Sequence, residues 1–180
     1  METNSETADQ SGNSASKNGE GDLRRLEEQA RMRATFVRLV FGDDEERFEA
    51  FRREVAGVLP DAASAVIRGS AITGQRWKDG APFDADGPGT SDIDLTLVGA
   101  ELLEHFSVDG FWVPGMHSRP LSDEDPDIAP ALVPLRERLM ALAGRPVNIQ
   151  ATRDVVMAFR GDLLGQPYLT LIGKADPPEG

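Results

Sequence analysis

Asp92 and Asp94 stand two residues apart in the run Ser91-Asp92-Ile93-Asp94-Leu95-Thr96-Leu97-Val98. The run alternates acid with aliphatic and then polar with aliphatic, the period of a half-buried strand. Side chains two apart on a strand share a face, so both carboxylates point the same way. Such neighbours repel and need a proton or a cation between them. A hard divalent ion such as Mg²⁺, which takes oxygen ligands together with phosphate, suits that need. Earlier in the chain the short apolar run Ala65-Val66-Ile67 is followed by Arg68 and closes on Gly69-Ser70. Glycine lets the backbone approach a phosphate closely, and two successive N–H groups with a serine hydroxyl can donate to its oxygens.

Taken together, a Gly-Ser turn ending one strand and an Asp-hydrophobe-Asp pair on the next resemble the DNA polymerase β-like nucleotidyltransferase superfamily. The resemblance implies that Gly69 and Ser70, with Arg68 beside them, contact a nucleoside triphosphate. It also implies that Asp92 and Asp94 bind catalytic Mg²⁺. Two features depart from the family pattern. Family members often place the acids closer to the turn, whereas here the glycine-rich stretch 75–90 intervenes as a long loop. Some members, bacterial toxin-like proteins among them, are similar in carrying a Gly-x-Pro-Phe-Asp insertion, here Gly80-Ala81-Pro82-Phe83-Asp84. The second departure is a missing third acid. The family commonly sets it between two hydrophobes on a later strand, and the matching spot, Val147-Asn148-Ile149, holds an asparagine. Asparagine cannot act as a base. Three readings stay open: an impaired relative that binds nucleotide or a partner, a base supplied by Asp84 or Asp86 of the insertion or by a partner, or a shifted alignment in which Asp154 comes round.

Other motifs fail on spacing or residue type. Gly69 and Gly74 have the separation of a P-loop, but Gln75-Arg76 stands where Lys-Ser/Thr is required. The segment from Asp84 has the EF-hand glycine at Gly89 but holds Pro88 where an oxygen ligand is required and Leu95 where the glutamate is required. Arg76 and Lys78 flank the site and could neutralise a triphosphate, and Trp77 could stack on a base. His105 and His117 lack ligand spacing and read as surface or loop residues. Asp123–Asp127 reads as a solvated acidic loop rather than a metal cage.

The elements that must position these residues follow from periodicity. Residues 1–21 carry almost no apolar side chain and read as a disordered tail. Asp22 is a candidate N-cap for a helix over 23–41. An Asp43-x-x-Glu46 capping pattern opens a second helix carrying Phe48, Phe51, Val55 and Val58, which Pro60 ends. After the Asp92–Val98 strand come a short helix over 100–106 and a proline-rich, loop-like 107–130. Then follow a helix over 131–143, a strand over 145–151, a helix over 153–164 and a strand over 168–172. Residues 176–180 read as a frayed end. The spacing predicts one α+β (α/β) domain over 22–175: a small, mostly mixed sheet with helices packed on one side, similar to a nucleotidyltransferase palm.

Composition bounds the function. The chain has 180 residues, no cysteine and a net charge of −12. Disulfides and zinc–thiolate sites are excluded, and the acidity argues against broad nucleic-acid binding. No apolar run is long enough for a membrane span, so a cytoplasmic protein without a membrane role is expected. A minimal single-domain nucleotidyltransferase is the expected activity, moving a nucleoside monophosphate onto a hydroxyl of a protein or small molecule. The resemblance extends to relatives that act as antitoxins by modifying a partner protein. No large helical acceptor domain is expected after the palm-like core.

Overall fold

The computed structural model describes residues 12–173. Its centre is a six-stranded mixed sheet of order β3-β4-β5-β2-β1-β6, built from β1 (Ser64–Arg68), β2 (Ile93–Val98), β3 (Phe111–Val113), β4 (His117–Ser118), β5 (Val147–Thr152) and β6 (Leu169–Ile172). Strands β2 and β5 are parallel, and the other neighbours are antiparallel. Period-2 alternation sorts the side chains. Ala65, Ile67, Ile93, Leu95, Leu97, Val147, Ile149 and Ala151 are buried in the main core. Their alternates, Arg68, Asp94, Thr96, Asn148 and Gln150, occupy the opposite face.

The apolar face is covered by α1 (Gly12–Phe41), α2 (Glu45–Ala56), the single turn α3 (Ser70–Thr73) and α4 (Val133–Ala143). Phe36, Phe41, Phe48 and Phe51 meet edge to face where α1 and α2 cross, with ring centroids 5.6–6.1 Å apart. Such pairs add about 0.5–1.5 kcal/mol each beyond their buried area. Gln29 of α1 pins the sheet edge, donating to the Tyr168 carbonyl and accepting from the Thr170 N–H. Among the described residues no helix is long and apolar enough to cross a membrane.

The expected α+β class is what the structure has, with four differences of detail. First, α1 begins at Gly12 rather than at Leu23, so the expected tail overlaps a helix. With no proline in this stretch, an already nucleated helix adds one hydrogen bond per residue without a packed face. Residues 1–11 and the expected frayed end lie outside the described residues. Second, the cap of α2 is Asp44, whose side chain accepts from the Arg47 N–H. Third, the expected loop 107–130 contains the β3–β4 hairpin. Trp112 and Val113 are exposed there, so no burial pattern betrays the strand. Fourth, α5 (Asp154–Ala158) and the π-helical turn after it (Phe159–Leu163) lie over the other face of the sheet. There Met157 is buried against Val66 and Val98.

Candidate functional site: two acids at the end of a strand pair

The register brings the chemistry into one row. Arg68 of β1 pairs with Asp94 of β2, and Asp94 pairs with Asn148 of β5. The asparagine therefore lies directly across from the second acid. Asp92 lies one step beyond the start of β2, on the same face. The Asn148 amide donates to Asp92 Oδ2 at 2.5 Å and to Asp94 Oδ1 at 3.4 Å. Asp154, in the first turn of α5, lines neither cavity described below.

Gly69 is fixed by this arrangement. Its φ of 80° and ψ of −160° lie in a region open essentially to glycine alone. A Cβ added there would sit 2.8 Å from Asp94 Oδ2. The backbone thus passes against the carboxylate, and α3 begins at once with Ser70. The Ser70 hydroxyl has no hydrogen-bond partner among the described residues.

Burial pushes the Asp94 carboxyl above the ordinary carboxylate range, and the Asp92 charge pushes it the same way. The Asn148 amide, Arg68 and Arg160 offset only part of this. Two carboxylates and a carboxamide offer hard oxygen donors once the Asn148 amide is turned to present Oδ1. This donor set fits Mg²⁺. Among the described residues no cluster of three or more His, Cys, Asp or Glu side chains could hold a metal.

A cavity of about 620 Å³ opens over the acids, lined by Gly69, Ser70, Asp92, Asp94 and Asn148 together with Arg76, Trp77, Lys78 and Asp86 of the insertion. Asp123 and Glu124 complete its wall. Sequence reading places those two on a solvated loop without connecting them to the site, and no local signal makes that connection. The segment reaches the cavity because Leu121 bridges Ile149 of β5. Arg68 is a correction. It does not line this cavity but reaches along the sheet, donating from Nε to Thr96 Oγ1 at 3.2 Å and from Nη2 to Gln150 Oε1 at 2.8 Å. Burial, with Arg160 nearby, pushes its guanidinium down to about 10 while Asp94 opposes the shift.

The insertion is tied down rather than loose, despite its glycines. Gln75 bridges Pro82, and the Phe83 N–H donates to the Gly74 carbonyl. Asp84 accepts from the Gly89 and Ser91 N–H groups and, bidentately, from Arg145 at 2.9 and 3.2 Å. Arg145 also donates to Ser91 O and Leu39 O and lies over the Phe83 ring. Burial alone would raise the Asp84 carboxyl, but Arg145 and the two amides hold it down at about 2. Asp84 is therefore a structural anchor and not a free base. Asp86 lines the cavity, paired with Arg76 at 2.6 Å.

His117 is a second correction. It is buried on β4 rather than at the surface, and its Nδ1 has no partner among the described residues. Burial, with Arg160 and Arg68 nearby, pushes the imidazole down to about 4.

No protein family, curated protein or solved structure matches the chain.

Proposed function

We propose that the protein is a nucleotidyltransferase that moves a nucleoside monophosphate from a nucleoside triphosphate to a hydroxyl acceptor. The observation that carries this reading is the close approach of Gly69 to Asp94. Backbone that only glycine can adopt is held against a half-buried carboxylate, beside a serine hydroxyl without a partner among the described residues. Gly69 and Ser70 hold the β- and γ-phosphates, and Arg76 and Lys78 neutralise their charge from the insertion. Asp92 and Asp94, with Asn148 turned, hold Mg²⁺, which supplies charge neutralisation when bound. The acceptor oxygen forms a bond to the α-phosphorus. The bond from that phosphorus to the α,β-bridging oxygen breaks, pyrophosphate leaves with the electron pair, and the hydroxyl proton passes to solvent. Positioning and charge neutralisation do most of the work in such a transfer, so an asparagine in place of a base is tolerable. A triphosphate-using enzyme of this kind belongs in the cytoplasm.

One observation favours a second reading, a nucleotide-binding or partner-binding module without turnover. Asn148 donates to both acids and holds them as an already satisfied pair. Incubation with Mg²⁺, α-phosphate-labelled triphosphates and a cell extract separates the two. Pyrophosphate release and label transfer that Asp94→Ala lacks support the transferase. Binding of a triphosphate with no label transferred above background supports the silent module.

A further inference from the structure

A second cavity, of about 540 Å³, opens beside the first and shares Gly69, Asp94, Arg76 and Trp77 with it. Asp94 and Gly69 thus border both spaces. The second differs in charge, because Arg68 and Arg160 both line it and Asp94 is its only carboxylate among the described residues. Neither arginine is neutralised by an ion pair among the described residues. Arg68 commits Nε and Nη2 to neutral acceptors, Thr96 and Gln150, and Nη1 has no partner among the described residues. Arg160 Nη1 is buried with no hydrogen-bond partner among the described residues. Burial pushes both guanidiniums below their ordinary value. A buried guanidinium donor without a partner is costly, and the fork of arginine matches a carboxylate or a phosphate. Thr73, Gln75 and Gln166 add neutral polar groups to the same wall.

We propose that this second cavity is the acceptor site, and that the acceptor is a small hydroxyl compound bearing a phosphomonoester or carboxylate, which Arg68 and Arg160 hold. The proposal rests on the transferase reading for the word acceptor, but the anion site stands on the two arginines alone. The shared border at Asp94 puts the hydroxyl of a compound anchored on the arginines toward the first cavity, where the α-phosphate lies. Proximity of this kind is a large part of what a transferase contributes.

The test uses the full chain with Trp112→Phe, so that Trp77 is the remaining tryptophan and lies at the mouth of the cavity. Glycerol 3-phosphate, glycerate and uncharged glycerol are titrated without triphosphate or Mg²⁺ while tryptophan fluorescence is followed. One or both anions should change the fluorescence saturably and glycerol should not; which anion responds names the class. Arg160→Gln should weaken that response at least tenfold. Gln166→Glu, which adds a negative charge to the same wall, should weaken it too and serves if Arg160→Gln does not fold. A flat response to both anions, or wild-type affinity in the folded variants, overturns the proposal. The melting-temperature shift with Mg²⁺ and triphosphate is read in parallel. If that shift is present while the anion titration is flat, the acceptor site alone fails. If the anions bind and no triphosphate does, the transferase reading fails and the anion site stands.

Discussion

Asp84 and Asp94 belong to one stretch of chain and have opposite environments. Asp84 has two backbone N–H donors and a bidentate arginine, and its carboxyl is held down at about 2. Asp94 is more deeply buried, faces a second carboxylate, and has its carboxyl pushed up. The first carboxylate is more comfortable folded than unfolded; the second is less so. A fold keeps an uncomfortable charge where that charge has work to do, because its discomfort is relieved by a ligand. On the proposed reading, the contrast separates the acid that builds the site from the acid that serves it.

The largest expected effect breaks the serving half of the comparison. Asp94→Ala should lower turnover by at least about 10³-fold while circular dichroism shows the fold intact. Next comes the building half. Asp84→Ala leaves Arg145, whose side chain is 7% exposed, without its carboxylate, and should cost about 3 kcal/mol in denaturant unfolding. Wild-type stability in this variant would mean that the anchor is ornamental.

The sign of the third effect sharpens the contrast. A carboxyl raised in the folded state makes the native protein bind more protons than the unfolded chain, so stability falls as pH rises through the range above the ordinary carboxylate value. Asp94→Asn should therefore raise the melting temperature of the ligand-free protein by a few degrees near neutral pH and flatten that pH dependence. Asp84→Asn should lower the melting temperature near neutral pH and remove an acid-side loss, since stability from a depressed carboxyl is present above its unfolded value and is lost as pH falls toward about 2. The smallest effect comes from His117. Its depressed imidazole lets the unfolded chain take up a proton that the folded one refuses, so stability should decline as pH falls from 6.5 toward about 4. His117→Gln should remove that decline in thermal melts across this range.

The site was legible where chemistry follows local period. Asp92 and Asp94 announce themselves by alternation, the family resemblance marks Asn148, and strand pairing then sets Asn148 across from Asp94. Gly69 was legible for the same reason, as the residue that ends an apolar run before a serine. What was not legible depends on contacts far apart in sequence. Arg145 meets Asp84 across 61 positions, and neither residue carries a local mark of the other, so the insertion reads as loose when it is pinned. Arg160 reaches the polar face because the π-helical turn after α5 lies over it, a placement that helical spacing alone does not give. The β3–β4 hairpin is short and half exposed, so its strands leave no alternation to read.

The proposed function stands on a metal-dependent triphosphate site at Asp92 and Asp94. Its most direct test is the melting temperature of the wild type and of the Asp92→Ala/Asp94→Ala double variant, with each nucleoside triphosphate, with and without Mg²⁺. At a triphosphate concentration of about 100 times Kd, binding to the folded state adds about 2.7 kcal/mol. The account predicts that at least one triphosphate raises the wild-type melting temperature only when Mg²⁺ is present, and that the double variant loses the shift. No shift with any triphosphate, or a shift that survives in the double variant, would contradict it.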